Sequence, residues 1–329
     1  MRLKTRLTEK LGIEHPILLA PMNVLAGGKL AAAVTHAGGL GIIGGGYGDA
    51  DWLEQQFAAA GHARVGCGFI TWSMARDPKL LDQVLARQPA ALMLSFGEVE
   101  PHASRIKARG VPLICQVQGM QYLREAVDAG ADIIVAEGCE AGGHSGYRGV
   151  FTLVPEAADY LARHSPDTVL VAAGGVGDGR GLSAALMLGA DGVLVGTRFV
   201  ASQESEAPEG LRQAIIRSDG DATMKSTSVD IARKRYWPNP EFVVRVLKNS
   251  FVARWHGRER EMEQAIDVEY ERFWSAFKAG DADNTGVLMG EVSGIIRDAP
   301  PAAQIMHDMV AQTCQLLGMH SRYVDTGHS

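Results

Sequence analysis

The chain alternates between short, unbroken apolar runs and longer segments whose apolar residues recur at helical spacing. The runs fall near residues 16–20, 40–44, 65–69, 91–94, 112–117, 133–136, 169–173 and 192–195. Because each is apolar at nearly every position, the pattern predicts strands buried on both faces, as in a parallel sheet. The intervening segments 29–37, 51–60, 78–86, 101–108, 121–129, 155–163 and 180–188 read as helices, and the alternation predicts β/α units. Two units nearly repeat: Ala129-Gly130-Ala131-Asp132 leads into one run as Leu188-Gly189-Ala190-Asp191 leads into another. A glycine just past a helix end takes φ > 0 without penalty, so both are expected helix-to-strand turns. Eight units predict an α/β fold, a (β/α)8 TIM barrel, with a doubly wound eight-stranded sheet as the alternative.

After the eighth run the rhythm breaks. A helix is expected at 208–217, and 218–283 then reads as helices without strands, including 241–249 and 261–278. A last amphipathic helix, 302–317, follows the turn Ala299-Pro300-Pro301, and the end from about Arg322 is polar. The expected organisation is therefore one barrel made of residues 1–217 and 284–329, interrupted by a helical insertion at 218–283.

Composition narrows the partners. Of 329 residues, 46% are hydrophobic and 21% charged, as in ordinary globular proteins, and a net charge of −6 gives no electrostatic case for nucleic acid or an anionic membrane. A small-molecule substrate is expected. The four cysteines, Cys67, Cys115, Cys139 and Cys314, form no C-x-x-C pair, so neither a disulfide framework nor a metal site is predicted, and a reducing cytoplasm is the expected compartment. No apolar run approaches the ~18 residues that span a bilayer. The stretch 225–260 is rich in Lys and Arg, reading either as a solvated face or as a site for a pyrophosphate or an acyl carrier. Trp237, Phe242, Phe251 and Trp255 either pack the insertion or form a homodimer surface.

Barrel enzymes place their chemistry at the C-terminal ends of the strands. The seventh run is followed by Gly174-Gly175-Val176-Gly177-Asp178-Gly179 and the eighth by Gly196-Thr197-Arg198. Glycine backbone there lets N–H groups approach phosphate oxygens, and these two loops are the usual phosphate grip of the fold. The sixth run opens into the long loop beginning Glu137-Gly138-Cys139-Glu140-Ala141-Gly142-Gly143-His144-Ser145-Gly146. Tiny residues flanking one imidazole fit a flat ligand against the backbone, with His144 as candidate general base. Ala20-Pro21-Met22-Asn23, after the first run, reads by itself as a proline turn with a core methionine. The cysteines in or beside strands read as inert core thiols.

Taken together, Pro21-Met22, Glu140-Ala141-Gly142-Gly143-His144, Ala173-Gly174-Gly175 with Asp178-Gly179, and Gly196-Thr197-Arg198-Phe199 resemble the nitronate monooxygenase family. The same motifs are similar to FMN-dependent enoyl-acyl carrier protein reductases and NADH:quinone reductases. The resemblance implies non-covalent FMN, its phosphate on Gly174, Gly175, Gly196 and Thr197 and its ring over Pro21, Met22 and Asn23. Gln116 would lie near the flavin and Gly142, Gly143 and His144 along its edge, while 218–283 would cap the barrel over the substrate. Gly68 stands where relatives often carry Asn, so a hydrogen bond to the flavin is either missing or supplied by Thr71. Glu291, where many relatives have Gln, is expected to add charge near the site.

The reaction implied is oxidation of alkyl nitronates with O2 to a carbonyl compound and nitrite, with His144 bonding the nitro group or abstracting the α-proton. The alternative is an NAD(P)H-dependent FMN reductase of enoyl thioesters or quinones. A non-redox, phosphate-binding barrel enzyme and a flavin-storing protein complete the field.

Overall fold

The computed structural model describes residues 3–318. The strands are β1 (Ile17–Leu19), β2 (Ile42–Gly46), β3 (Gly66–Ile70), β4 (Leu92–Ser95), β5 (Leu113–Val117), β6 (Ile133–Glu137), β7 (Gly143–Ser145), β8 (Val169–Ala173), β9 (Gly192–Val195), β10 (Thr223–Lys225) and β11 (Val243–Leu247). Eight of them form one parallel sheet in the order β1-β9-β8-β6-β5-β4-β3-β2. A bridge between Leu18 and Leu40 joins its two ends. Across this seam Leu19 N–H donates to the Leu40 carbonyl at 2.9 Å and Leu40 N–H to that of Ile17 at 3.1 Å. The sheet thus closes on itself as a (β/α)8 barrel, whereas a doubly wound sheet would keep two open edges.

The unbroken apolar runs are explained by two cores meeting at the strands. Along β6, Ile133 and Val135 point inward to join Leu18, Met93, Ile114 and Val171 in the barrel interior. Ile134 and Ala136 point outward against the surrounding helices. A helix that the apolar rhythm does not reveal, Arg6–Leu11, plugs the N-terminal end of the barrel. Its Leu7 is fully buried, and its Cδ2 stands 2.5 Å from where a side chain on Gly192 would begin, so β9 starts with glycine because the plug fills that space.

The insertion differs from the sequence expectation, since it contains strands. β10 and β11 pair antiparallel, and β11 also pairs antiparallel with β7, setting Val244 opposite His144. Residues 241–249 are therefore not a helix. In Val243-Val244-Arg245-Val246-Leu247, Val244 and Val246 are buried and the other three half-buried, a period of two in β-branched residues. The helices Ser228–Ala232, Ser250–Trp255, Glu259–Gln264 and Ile266–Ala279 complete the insertion around Val229, Phe251, Met262 and Phe273. Phe242, Phe251 and Trp255 are buried within the chain.

Much of the basic stretch is used internally. Lys225 Nζ donates to the carbonyls of Ser145 and Gly146, and Arg245 donates to the Cys139 carbonyl, so both side chains grip the loop that carries His144. Arg233, Lys234 and Arg258 pair with Asp230, Asp267 and Glu261.

The final helix, Ala302–Gly318, returns to the barrel, where Gln312 Oε1 accepts from Gly179 N–H at 2.7 Å. The polar end from about Arg322 lies outside the described residues. None of the described helices is long and apolar enough to cross a membrane.

Candidate active site

A cavity lies at the C-terminal ends of the barrel strands, under the insertion. Pro21, Met22, Asn23, Gln116, Gly142, Gly143, His144, Gly174, Gly175, Gly196 and Thr197 all contribute to its wall. One expected contact is absent. Gly68 is not in the wall, because the Pro21 ring occupies its side-chain space, with Cβ and Cγ 2.5 Å from where a Gly68 Cβ would stand. Thr71, proposed as its substitute, is buried elsewhere. Glu291 puts its charge beside the cavity and not within it. Its carboxylate meets Arg245 at 3.0 Å, while its neighbours Gly290 and Val292 face the site.

At the glycine end, Gly174 and Gly175 are consecutive left-handed residues, with φ of 99° and 72°. A Cβ on Gly175 would meet only Glu140 Cβ, at 3.8 Å, so its backbone stands open to the cavity. Successive main-chain N–H groups in such a turn suit an anion. Thr197 Oγ1 accepts from Gly290 N–H at 3.0 Å, which leaves its hydroxyl proton available to a phosphate oxygen. Gly142 packs so closely on the Gly290 segment that a Cβ would come within 2.5 Å of the Gly290 nitrogen. This donor set and open backbone fit a nucleotide phosphate.

His144 sits on β7, held in register by β11. Its Nε2 lies 2.8 Å from Asp230 Oδ2, and Arg233 donates to Asp230 Oδ1 at 2.7 Å. Burial acts to raise the Asp230 carboxyl, but His144 and Arg233 outweigh it and hold the group below its ordinary range. An ionised carboxylate only accepts, so Nε2 carries the proton and the imidazole lone pair resides on Nδ1. Burial, opposed by Asp230, holds His144 below the usual histidine range and keeps it neutral. Trp237 stacks on the imidazole with centroids 3.5 Å apart, and its Nε1 donates to the Tyr47 hydroxyl at 3.1 Å. Phe96, whose ring lies 5.0 Å from that of Trp237, holds a left-handed φ of 62° at the end of β4. Strain of this kind collects at functional sites.

Glu137 is a buried acid of the wall itself. Its Oε2 accepts from Gln116 Nε2 and Gln118 Nε2, both at 2.9 Å. Burial pushes its carboxyl up to about 8, against the opposing pull of the two amides and Lys225. The folded protein thus binds a proton here that the unfolded chain releases near the ordinary carboxyl value, so this group lowers stability as pH rises from there to about 8. Denaturant unfolding at pH 6 and pH 9 should show a loss of a few kcal/mol in the wild type. In Glu137→Gln that component should vanish, and an unchanged pH dependence would refute the assignment.

Asp230, Arg233, Trp237, Tyr47 and Glu137 were not anticipated. Glu137 has a readable signal, since Ile133 and Val135 face inward and residue 137 shares their parity. Burial pushes the Cys67 thiol up to about 12 and also raises Cys115 and Cys139, which disfavours their thiolates.

A lidded cavity at the top of a (β/α)8 barrel, with a glycine-built anion cradle facing a carboxylate-held histidine, defines an enzyme site. The chain belongs to the nitronate monooxygenase family and is an oxidoreductase: the family model, described as nitronate monooxygenase, matches residues 4–64 and 70–312. It is 31% identical to the nitronate monooxygenase of Neurospora crassa, covering 90% of this chain and 88% of that protein. It is 30% identical to a Mycobacterium tuberculosis protein named (3aS,4S,5R,7aS)-5-hydroxy-7a-methyl-1-oxo-octahydro-1H-indene-4-carboxyl-CoA dehydrogenase, over 99% of this chain and all of that one. Among solved structures, FabK from Thermotoga maritima superposes with a TM-score of 0.82 at 29% identity, covering 98% of this chain and 100% of its own.

Proposed function

We propose that the protein is an FMN-dependent oxidoreductase that oxidises nitroalkanes or their nitronates with O2, giving a carbonyl compound and nitrite. The observation that carries this reading is a buried, neutral imidazole, oriented through Nε2 by Asp230, in the same cavity as the glycine cradle. Gly174, Gly175, Gly196 and Thr197 would hold the FMN phosphate, and Pro21, Met22, Asn23 and Gln116 would meet its ring. When bound, FMN supplies the electron acceptor. The protein's own part is acid–base work: Nδ1 of His144 takes the proton from the carbon next to the nitro group, and Asp230 stabilises the imidazolium that results. Trp237 fixes the plane of the ring, and the insertion excludes water from the carbanion.

The same proton abstraction serves a carbon next to a thioester carbonyl. The full-length likeness to a protein named as a carboxyl-CoA dehydrogenase favours this second reading.

The pure protein should be yellow and release FMN on denaturation. Under anaerobic conditions nitronate should bleach the flavin, while NADH should not. Bleaching by NADH alone would favour the reductase, and a colourless protein that takes up no FMN would favour a non-redox barrel.

A further inference from the structure

Three of the residues that line both the active-site cavity and the cavity adjoining it are polar: Asn23, Tyr47 and Arg233. The Arg233 side chain is nearly enclosed, at 11% exposure, and two of its nitrogens are engaged. Nε donates to the Val229 carbonyl at 3.2 Å and Nη2 to Asp230 Oδ1 at 2.7 Å. Nη1 has no partner among the described residues, yet it keeps accessible surface, which opens to the cavities that the residue lines. Because Asp230 offers its other oxygen to His144, the imidazole and the guanidinium flank one carboxylate. Tyr47 adds a second donor. Its hydroxyl accepts from Trp237 Nε1 at 3.1 Å, and its own proton has no acceptor among the described residues. Burial raises that hydroxyl above its ordinary range against the pull of Arg233, so the proton is retained.

We propose that Arg233 Nη1 and the Tyr47 hydroxyl form an oxyanion site, which binds an oxygen of the group that acidifies the substrate's C–H bond. The inference rests on the proposed function, in that His144 removes the proton concerned. When the C–H bond breaks, the proton passes to His144 Nδ1 and the electron pair spreads onto an oxygen two bonds from the carbon. Charge thus develops where the two donors already stand. Donors fixed in advance favour the charged state over the neutral one. Arg233 also offsets the charge of Asp230, which would otherwise repel the new anion. The substrate class is then a carbon acid whose acidifying group carries oxygen, nitro or thioester.

Propionate tests the site apart from the chemistry, since it has the shape and charge of ethyl nitronate but no acidic C–H. Propionamide is its uncharged counterpart. Calorimetric titration of the FMN-loaded enzyme should show propionate binding at least about tenfold more tightly than propionamide. Arg233→Gln should weaken propionate roughly tenfold to a hundredfold and Tyr47→Phe about tenfold, with propionamide little changed. Arg233→Gln also strips Asp230 of its partner, so the loss is read again in an Asp230→Asn background, where no carboxylate remains to repel the ligand. It should persist there. Equal affinity for propionate and propionamide in the wild type would overturn the proposal, as would a loss that disappears in the Asp230→Asn background. If the Arg233 variants do not fold, the wild-type comparison and Tyr47→Phe decide. Selective, Arg233-dependent binding of propionate by an enzyme that oxidises no nitroalkane would uphold the oxyanion site and refute the proposed reaction.

Discussion

Replacing His144 with asparagine should lower turnover of a neutral nitroalkane roughly 10²–10⁴-fold, the usual contribution of a positioned general base, while the flavin stays bound. The substitution keeps a polar amide that can donate to Asp230 and removes the imidazole, with its titrating nitrogen and its stack on Trp237. A preformed nitronate, already deprotonated, should be affected far less. The ratio of the two rates in one variant therefore separates proton abstraction from electron transfer. Turnover of nitroalkane near the wild-type value, with flavin content matched by its visible spectrum, would remove His144 from the mechanism.

The second large effect is expected at Asp230. An asparagine there can donate to Nε2 through its amide, which reverses the tautomer and puts the proton on Nδ1, where the base must be free. Turnover should fall about 10²–10³-fold, following the logic by which a triad aspartate holds its histidine. The direction of the pH profile distinguishes this from simple loss of structure. Burial lowers the His144 value and Asp230 raises it, so without the carboxylate the value falls further. The acidic limb of kcat/KM should move to lower pH even as the plateau drops, and Asp230→Glu should restore part of the rate. A drop with an unmoved limb would mean that Asp230 only supports the fold.

The barrel was legible because strands packed on both faces are apolar at every position, and each of the eight runs became a barrel strand. His144 drew notice because a long loop of tiny residues follows β6, and the structure seats it in the cavity wall beside Asp230. The partner of His144 was not legible, because Asp230 lies 86 residues away on a five-residue helix and only the pairing of β7 with β11 brings them together. β11 was misread since five residues of β-branched sequence carry too little pattern to separate a strand from a helix when surrounded by helices. Gly68 shows a different limit. Aligning it by family position made it a flavin contact, whereas its missing side chain instead admits the Pro21 ring.

The pairing of β7 with β11 also bears on how such an enzyme can be altered. The strand that carries His144 is stitched by main-chain hydrogen bonds to the same insertion that supplies Asp230, Arg233 and Trp237. The tautomer and the plane of the His144 ring are therefore inherited together with the insertion. A chimaera that borrows this insertion from a relative exchanges the carboxylate partner and the stacking face of His144 in a single step.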